Sequence, residues 1–586
     1  MGLLLILMTL TALMEMLGVA SIMPFLSALS DQGTMQNNEM LGSLYMGLGI
    51  TNKVNFTILL GFGVFLMLLI SIAFKAFNTY MQERFILMLE YNIGSRLLES
   101  YLHRPYSWFL NRNGSELAKN ILSEVSFVCG SISSFLSLFA QLAIVFALLG
   151  LLLTVNRDLT FLTIITLIAY YTLLLGRVRS LLSYLGKEKF STNAYRYAAA
   201  NEAFGAVKEV KVGGIEEAYV QRFQKHALSY AKTTNWIQLL KVLPRYFLEL
   251  ITFTGILLFI NISMVNGKEL VEILPTISVY TFAALRLMPA AQQIYTSLVQ
   301  LRVGNPALNT IHKDTTRVNA IDNKQSKACE RHIQKSIRLN NITFFYPNAS
   351  LPALKNLELT IPVNRTVGLV GTTGSGKTTT VDVILGLLTP QKGSLVVDGQ
   401  VIDSSNIRAW QKMIGYVPQQ IYLADNSVAS NIAFGVDPDG IEMERVERAA
   451  RIANLHSFVN EQLPLGYETT IGERGVRLSG GQRQRIGIAR ALYIEPKVLV
   501  LDEATSALDN LTEKSVMEAI NKLGHKITII LIAHRLTTVR QCHQIYLLDK
   551  GQLQAEGTYE ELLASSTIFR RMTETADFHD GTLEGD

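Results

Sequence analysis

"TVGLVGTTGSGKTTTVDVILGLL", residues 366–388, decides the fold of the second half of this chain. Its first residues form an apolar run of strand character and its last an apolar run of helical character. Between them Gly371, Gly376, Lys377 and Thr378 satisfy the pattern GxxxxGK[ST], in the strand–loop–helix setting that the pattern requires. Glycines let successive backbone N–H groups curl around a phosphate at a helix N-terminus. Lys377 then neutralises the β- and γ-phosphates of a nucleotide and Thr378 ligates magnesium. Thr372, Thr373, Gly374, Ser375 and Thr379 complete the expected lining.

Downstream, "KVLVLDEATSALD" (497–509) reads as a buried strand ending in two carboxylates. Adjacent carboxylates at a strand end are commonplace. A phosphate loop upstream gives these two a purpose: Asp502 suits the second magnesium contact and Glu503 the polarisation of an attacking water. Around both motifs, short β-rich runs alternate with helical patterns, which predicts an α/β domain with a mainly parallel sheet.

The first half is different. The chain has 586 residues, is 49% hydrophobic and carries a net charge of +5. That length calls for two or more domains, and the uneven hydropathy places one of them in a membrane. Apolar runs near 57–80, 128–154, 157–176, 246–266 and 270–292, together with the N-terminal run, make six spans of about 20 residues each. Lysine and arginine gather in the two long gaps, 81–127 and 177–245, which the positive-inside rule puts in the cytoplasm with both termini. The basic residues are confined to a few loops, and nothing calls for nucleic acid. Cys129, Cys329 and Cys542 are scattered, with no spacing for a disulfide framework or a zinc site.

The opening "MGLLLILMTLTALMEMLGVASIMPFLSALS" lacks a basic n-region and stays apolar too long for a signal peptide. A transmembrane helix is expected almost from Met1, and with no polar segment before it a shortened start is expected too. The resulting division is a six-helix transmembrane domain at 1–310, a polar linker at 311–336, an α/β cassette at 337–575, and a disordered acidic tail at 576–586.

"LSGGQRQRIGIARAL", from Leu478, resembles the signature of ATP-binding-cassette proteins. Other motifs follow the same family order. Tyr346 in "ITFFYP" is similar to the aromatic that stacks on adenine, and Gln419 in "IGYVPQQ" to the glutamine that senses magnesium and the water. Glu473 in "IGERG" resembles the exporter X-loop, "SALD" at 506–509 the D-loop, and His534 in "LIAHR" the switch histidine. The resemblance implies that Ser479, Gly480, Gly481 and Gln482 bind the γ-phosphate of a nucleotide on a partner's P-loop. Two cassettes are then needed, and a homodimer with ATP and Mg2+ at both sites is the simplest arrangement.

Membrane domain before cassette, six spans and long cytoplasmic extensions resemble the exporter class, in an inner membrane with the cassette in the cytoplasm. "HRPYSWFLNRNGSELAKNI" and "GAVKEVKVGGIEEAYVQRF" resemble its first and second coupling helices. "VASIMPFLSAL", "LPRYFLELI" and "ALRLMPAAQQI" are similar to a branch that includes lipid-linked oligosaccharide flippases. Their cargo is a polyprenyl pyrophosphate; another lipid, a peptide or a hydrophobic drug is the alternative cargo.

That branch bears on "TISVYTFAALRLMPAA" (276–291), where Arg286 is the one charge. A charge at mid-bilayer faces a bundle interior or a watery cavity and has a partner. One reading is an ion pair of Arg286 with Glu249 or Glu15; Lys75, nearer the cytosolic end of its span, is expected to snorkel. The other places Arg286 at the anionic head group of the cargo, where a guanidinium fork suits phosphate oxygens.

Overall fold

A computed structural model describes residues 2–21, 25, 53–265, 267, 270–316, 333–472, 475–504, 510–523, 526–533 and 536–580. The chain divides into two units: Met1–Arg104 with Arg112–Ile321, and Pro105–Asn111 with Asp322–Asp586.

Among the described residues the first unit has six long helices: α1 (Gly2–Ala20), α2 (Lys53–Leu102), α3 (Val125–Val155), α4 (Arg157–Gly205), α5 (Glu216–Val265) and α6 (Leu270–Thr316). Five stretches, in α1, α2, α4, α5 and Gly114–Val155, are long and apolar enough to cross a membrane. The sixth expected span lies in α6. At about 1.5 Å per residue a 50-residue helix such as α2 reaches about 75 Å, far beyond a hydrocarbon core of about 30 Å. Phe62, Phe146, Ile165 and Leu257 stand exposed on them, as lipid-facing side chains do. The protein is therefore an integral membrane protein.

Two apolar clusters hold the bundle. Ala12 and Val19 of α1 pack with Ile144, Leu148 and Leu152 of α3 and with Val279, Ala283 and Leu287 of α6. Further along, Leu182 and Leu185 of α4 meet Ile237 of α5 and Tyr295, Val299 and Val303 of α6. At Gly186 the α4 and α6 backbones come so close that a Cβ would stand 2.8 Å from the Val303 carbonyl oxygen. Only Asn156 separates α3 from α4; its extended backbone reverses the chain and its side chain accepts from the Leu159 N–H, capping α4. Short helices at Tyr106–Phe109 and Val207–Gly213 occupy the two basic gaps, and a π-helical turn, Asn120–Glu124, leads into α3.

The second unit has strands β1 (Ser336–Phe344), β2 (Leu354–Pro362), β3 (Thr366–Gly371), β4 (Lys392–Val397), β5 (Gln400–Val401), β6 (Ile414–Val417), β7 (Val498–Asp502), β8 (Thr528–Ile532), β9 (Gln544–Asp549) and β10 (Gln552–Gly557). One sheet runs β2-β1-β4-β5 and is antiparallel. The other runs β10-β9-β3-β8-β7-β6, parallel throughout except for β10. Every residue of β7 and β8 is buried, which explains their unbroken apolar runs. The fold is a helical transmembrane domain followed by an α/β P-loop cassette.

Boundaries shift from the sequence reading at two places. Helix α6 continues to Thr316, so 311–316 are helical rather than linker, because "ALNTIHKD" keeps burying Ile311 and Asp314. Residues 576–580, expected in a disordered tail, lie in a helix, Thr567–Asp580, whose Phe569 is fully buried. The remainder of the linker, 317–332, and of the tail, 581–586, lies outside the described residues.

Candidate functional site

The parallel strands bring their C-terminal ends to one edge, where ligands of open α/β sheets bind. Gly371 ends β3, Asp502 ends β7, and Gln419 follows β6 by two residues. Sequence separations of more than a hundred residues thus collapse into one site.

The loop after β3 wraps as the glycines demand. Gly374 and Gly376 have φ of 78° and 100°, left-handed values that an L side chain rarely adopts. Lys377 opens helix α7 (Lys377–Ile384) and turns its ammonium back into the loop, donating to the Gly371 carbonyl at 2.8 Å and the Thr372 carbonyl at 3.0 Å. Burial draws that ammonium below its ordinary range, with Glu503 and Asp502 opposing. Thr372, Thr373, Gly374 and Thr378 are exposed at the loop rim. Ser375 is buried, and its hydroxyl oxygen has no partner. A cradle of turned-in donors with an orphaned hydroxyl and a cation is what a nucleotide phosphate fits.

Beside it, Gln419 Nε2 donates to Glu503 Oε2 at 2.6 Å. Two residues 84 apart in sequence meet directly. Glu503 is held at φ 51°, a left-handed conformation costly for a non-glycine residue and typical of functional sites. Asp502 is buried and accepts from the Tyr416 hydroxyl at 3.3 Å. Tyr346 does not simply stand free for a base: its hydroxyl lies 3.1 Å from that of Thr379, and its ring meets Phe344 edge-on. That fixes the ring beside α7.

The signature forms a second phosphate-ready surface. Ser479 caps helix α8 (Gly480–Tyr493): its hydroxyl accepts from Gln482 N–H at 3.2 Å, while Gln482 Oε1 accepts from Ser479 N–H at 2.7 Å. The box sets Gly480 and Gly481 in the first turn of that helix, at its N-terminus. His534, Glu473 and the segment 506–509 lie outside the described residues, although β8 ends two residues before His534.

Two residues of the site carry no signal in the sequence. Tyr416 lies between the glycine and valine of "IGYV" and gave no motif; its role follows from the register that sets Tyr416 against Val500, two residues from Asp502. Asp382 is one polar residue in the apolar run that follows the loop. Burial pushes its carboxyl up to about 6, with Asp502 adding to the effect. Asp382 in turn acts on Tyr106, whose phenol burial pushes up first.

The membrane charges are partnered differently from expectation. Glu15 binds Lys75 at 2.6 Å, so Lys75 is paired rather than snorkelling, and Glu249 binds Arg245 at 2.8 Å one turn away on α5. Neither carboxylate pairs with Arg286, and among the described residues Arg286 has no ion-pair or hydrogen-bond partner. The ion-pair reading of Arg286 is overturned: closer cations already hold both acids.

Comparison with known proteins agrees with this architecture. Residues 1–282 match the model of the ABC transporter transmembrane region and residues 354–506 that of the ABC transporter. The chain is 30% identical over 511 residues to the heterocyst differentiation ATP-binding protein HepA of a Nostoc species, covering 85% of this chain and 81% of the relative. It is 30% identical over 479 residues to the ATP-dependent lipid A-core flippase of Cupriavidus pinatubonensis, covering 81% and 80%. A structure of a bacterial Atm1-family ABC exporter with ATP bound superposes with a TM-score of 0.79 at 23% identity, over 96% of this chain and 97% of the other.

Proposed function

Because this chain belongs to the ABC transporter family, as an exporter that couples ATP hydrolysis to transport, we propose that it flips an anionic lipid-linked oligosaccharide of the polyprenyl-pyrophosphate type. It works as a homodimer in the inner membrane with its cassettes in the cytoplasm. The observation that carries the cargo reading is Arg286: a guanidinium in a membrane helix with both candidate acids engaged elsewhere. An unpaired cation at that depth is costly, and a pyrophosphate offers the bidentate oxygens that a guanidinium fork takes. Glu15 and Glu249 hold neighbouring cations rather than cargo.

In each cassette, Lys377 and the P-loop amides bind the phosphates, and Tyr346 flanks the base. Thr378, Gln419 and Asp502 would hold magnesium, which supplies neutralisation of phosphate charge when bound. Glu503 orients the attacking water and accepts its proton, while Gln419 keeps that carboxylate in place and His534 contacts the γ-phosphate. Ser479, Gly480, Gly481 and Gln482 close over the nucleotide of the other copy, so ATP favours the closed pair and shifts the membrane helices with it.

The test is reconstitution in liposomes with a short-chain polyprenyl-pyrophosphate glycan. Transbilayer movement and ATPase stimulation by that lipid, both lost in Arg286→Ala, are expected. Indifference of both readouts to the pyrophosphate and to Arg286→Ala overturns the cargo reading.

A further inference from the structure

The chain leaves the membrane unit twice, after Arg104 and after Ile321, and the stretch Pro105–Asn111 that groups with the cassette unit contains the short helix Tyr106–Phe109. Within the membrane unit, both departures are tied to one residue, Asp314, which lies two residues before the end of α6. There the last carbonyls of the helix have no intrahelical donor. The Asp314 carbonyl accepts from the Arg104 guanidinium at 2.9 Å and from the Ser100 hydroxyl at 3.4 Å. A guanidinium at that end also suits the negative pole of the helix. The Asp314 carboxylate accepts from the Tyr101 hydroxyl at 2.7 Å, the length of a charge-assisted bond.

The side-chain pair is buried: Tyr101 is 2% exposed and Asp314 8%. Asn120, fully buried, donates to the Tyr101 oxygen at 3.2 Å, so the phenol both gives and receives. Burial pushes that phenol above its ordinary range against the opposing Asn120 bond, so the hydroxyl keeps its proton and stays a donor. Asn120 begins the π-helical turn that the chain enters after returning at Arg112. Such turns are rare and collect at functional sites. The same turn reaches α4, because Glu124 lies 3.5 Å from Lys119 and accepts from Asn193. Capping α6 requires only the bonds to its carbonyl. The bond from Tyr101 is superfluous to a cap; it joins α6 to α2, and stripping a buried carboxylate of its donor is costly.

We propose that Tyr101 and Asp314 are positioning residues of the transport cycle: their bond fastens the two departures to each other, so that a pull on either segment turns α2 and α6 together. This rests on the family's coupling of ATP hydrolysis to transport and not on the cargo.

The experiment compares ATPase rate with movement of the far ends of the membrane helices, in the full-length protein in nanodiscs. Spin labels at Ile58→Cys of α2 and Asp158→Cys of α4, both exposed positions, read a distance with and without ATP and vanadate, in a background where Cys129, Cys329 and Cys542 are replaced by alanine. Tyr101→Phe and Asp314→Ala are each expected to keep ATPase within about twofold of the parent while the nucleotide-dependent distance change falls by about half or more. The two together should be no worse than either alone, as partners in one bond are. Asp314→Asn retains an acceptor oxygen for Tyr101 and should move as the parent does, and thermal melts show that each variant is folded. If folded Tyr101→Phe and Asp314→Ala move as the parent does, the proposal is refuted. If ATPase and movement fall in the same proportion in both, the pair serves the fold alone and the proposal fails equally.

Discussion

Glu503 combines a left-handed backbone with the proton-accepting role proposed for it, and the Gln419 amide holds its carboxylate at 2.6 Å. Glu503→Gln keeps the shape and removes the base. Steady-state ATPase should fall by about 10²–10⁴-fold while ATP stays bound, as release of phosphate and retention of labelled nucleotide will show. Asp398 gives a residue-scale prediction of another kind. Burial alone would raise its carboxyl, but the N–H groups of Gln334, Lys335 and Ser336, at 2.7, 2.8 and 3.0 Å, outweigh this and hold it below its ordinary range. A depressed carboxyl stabilises the fold above its unfolded pKa of about 3.9 and stops doing so as pH falls through the folded value. Melting temperature of Asp398→Asn should therefore be lower than the parent at neutral pH and converge with it in acid.

Among the elements, the Glu15–Lys75 ion pair ties α1 to α2. Glu15→Gln leaves Lys75 without its partner and should lower the melting temperature; Lys75→Gln added to it should recover much of the loss, because the orphaned charge goes too. Gly186→Ala drives a methyl to 2.8 Å from the Val303 carbonyl oxygen and should cost about 1–3 kcal/mol, whereas Gly150→Ala, with open space around its Cβ, should be neutral or stabilising. Thermal melts of the two variants side by side check this. Elements also show what the sequence made readable. The P-loop was legible because strand, turn and helix are contiguous and each residue acts locally. Glu15–Lys75 was not, since it depends on which faces of α1 and α2 meet. Arg245–Glu249 was within reach, as acids and bases four apart on a helix are neighbours. Tyr416 and Asp382 needed the β6–β7 register and the packing of α7 before they meant anything.

For the whole molecule, one cassette per chain carries one P-loop and one signature. The proposed completion of each nucleotide site by a second copy predicts a steep dependence on composition. When parent protein is co-expressed with rising shares of Lys377→Ala, ATPase should fall faster than the share of parent chains; a strictly proportional decline would mean that each copy works alone. The six-helix count and the division into membrane and cassette regions were readable from hydropathy and motifs. The helical reach of α6 to Thr316 was not, because polar surface residues there hide the buried Ile311 and Asp314.

The one-residue reversal at Asn156 has its own corollary. Tyr280 of α6 donates to the Asn156 carbonyl at 3.0 Å and shares a hydrogen bond with Thr160, so three rods are riveted at a hinge with no slack. Whatever swing the cytosolic ends make, their far tips must pivot as a single jaw, and a flexible insert spliced in at that hinge should let the jaw come apart.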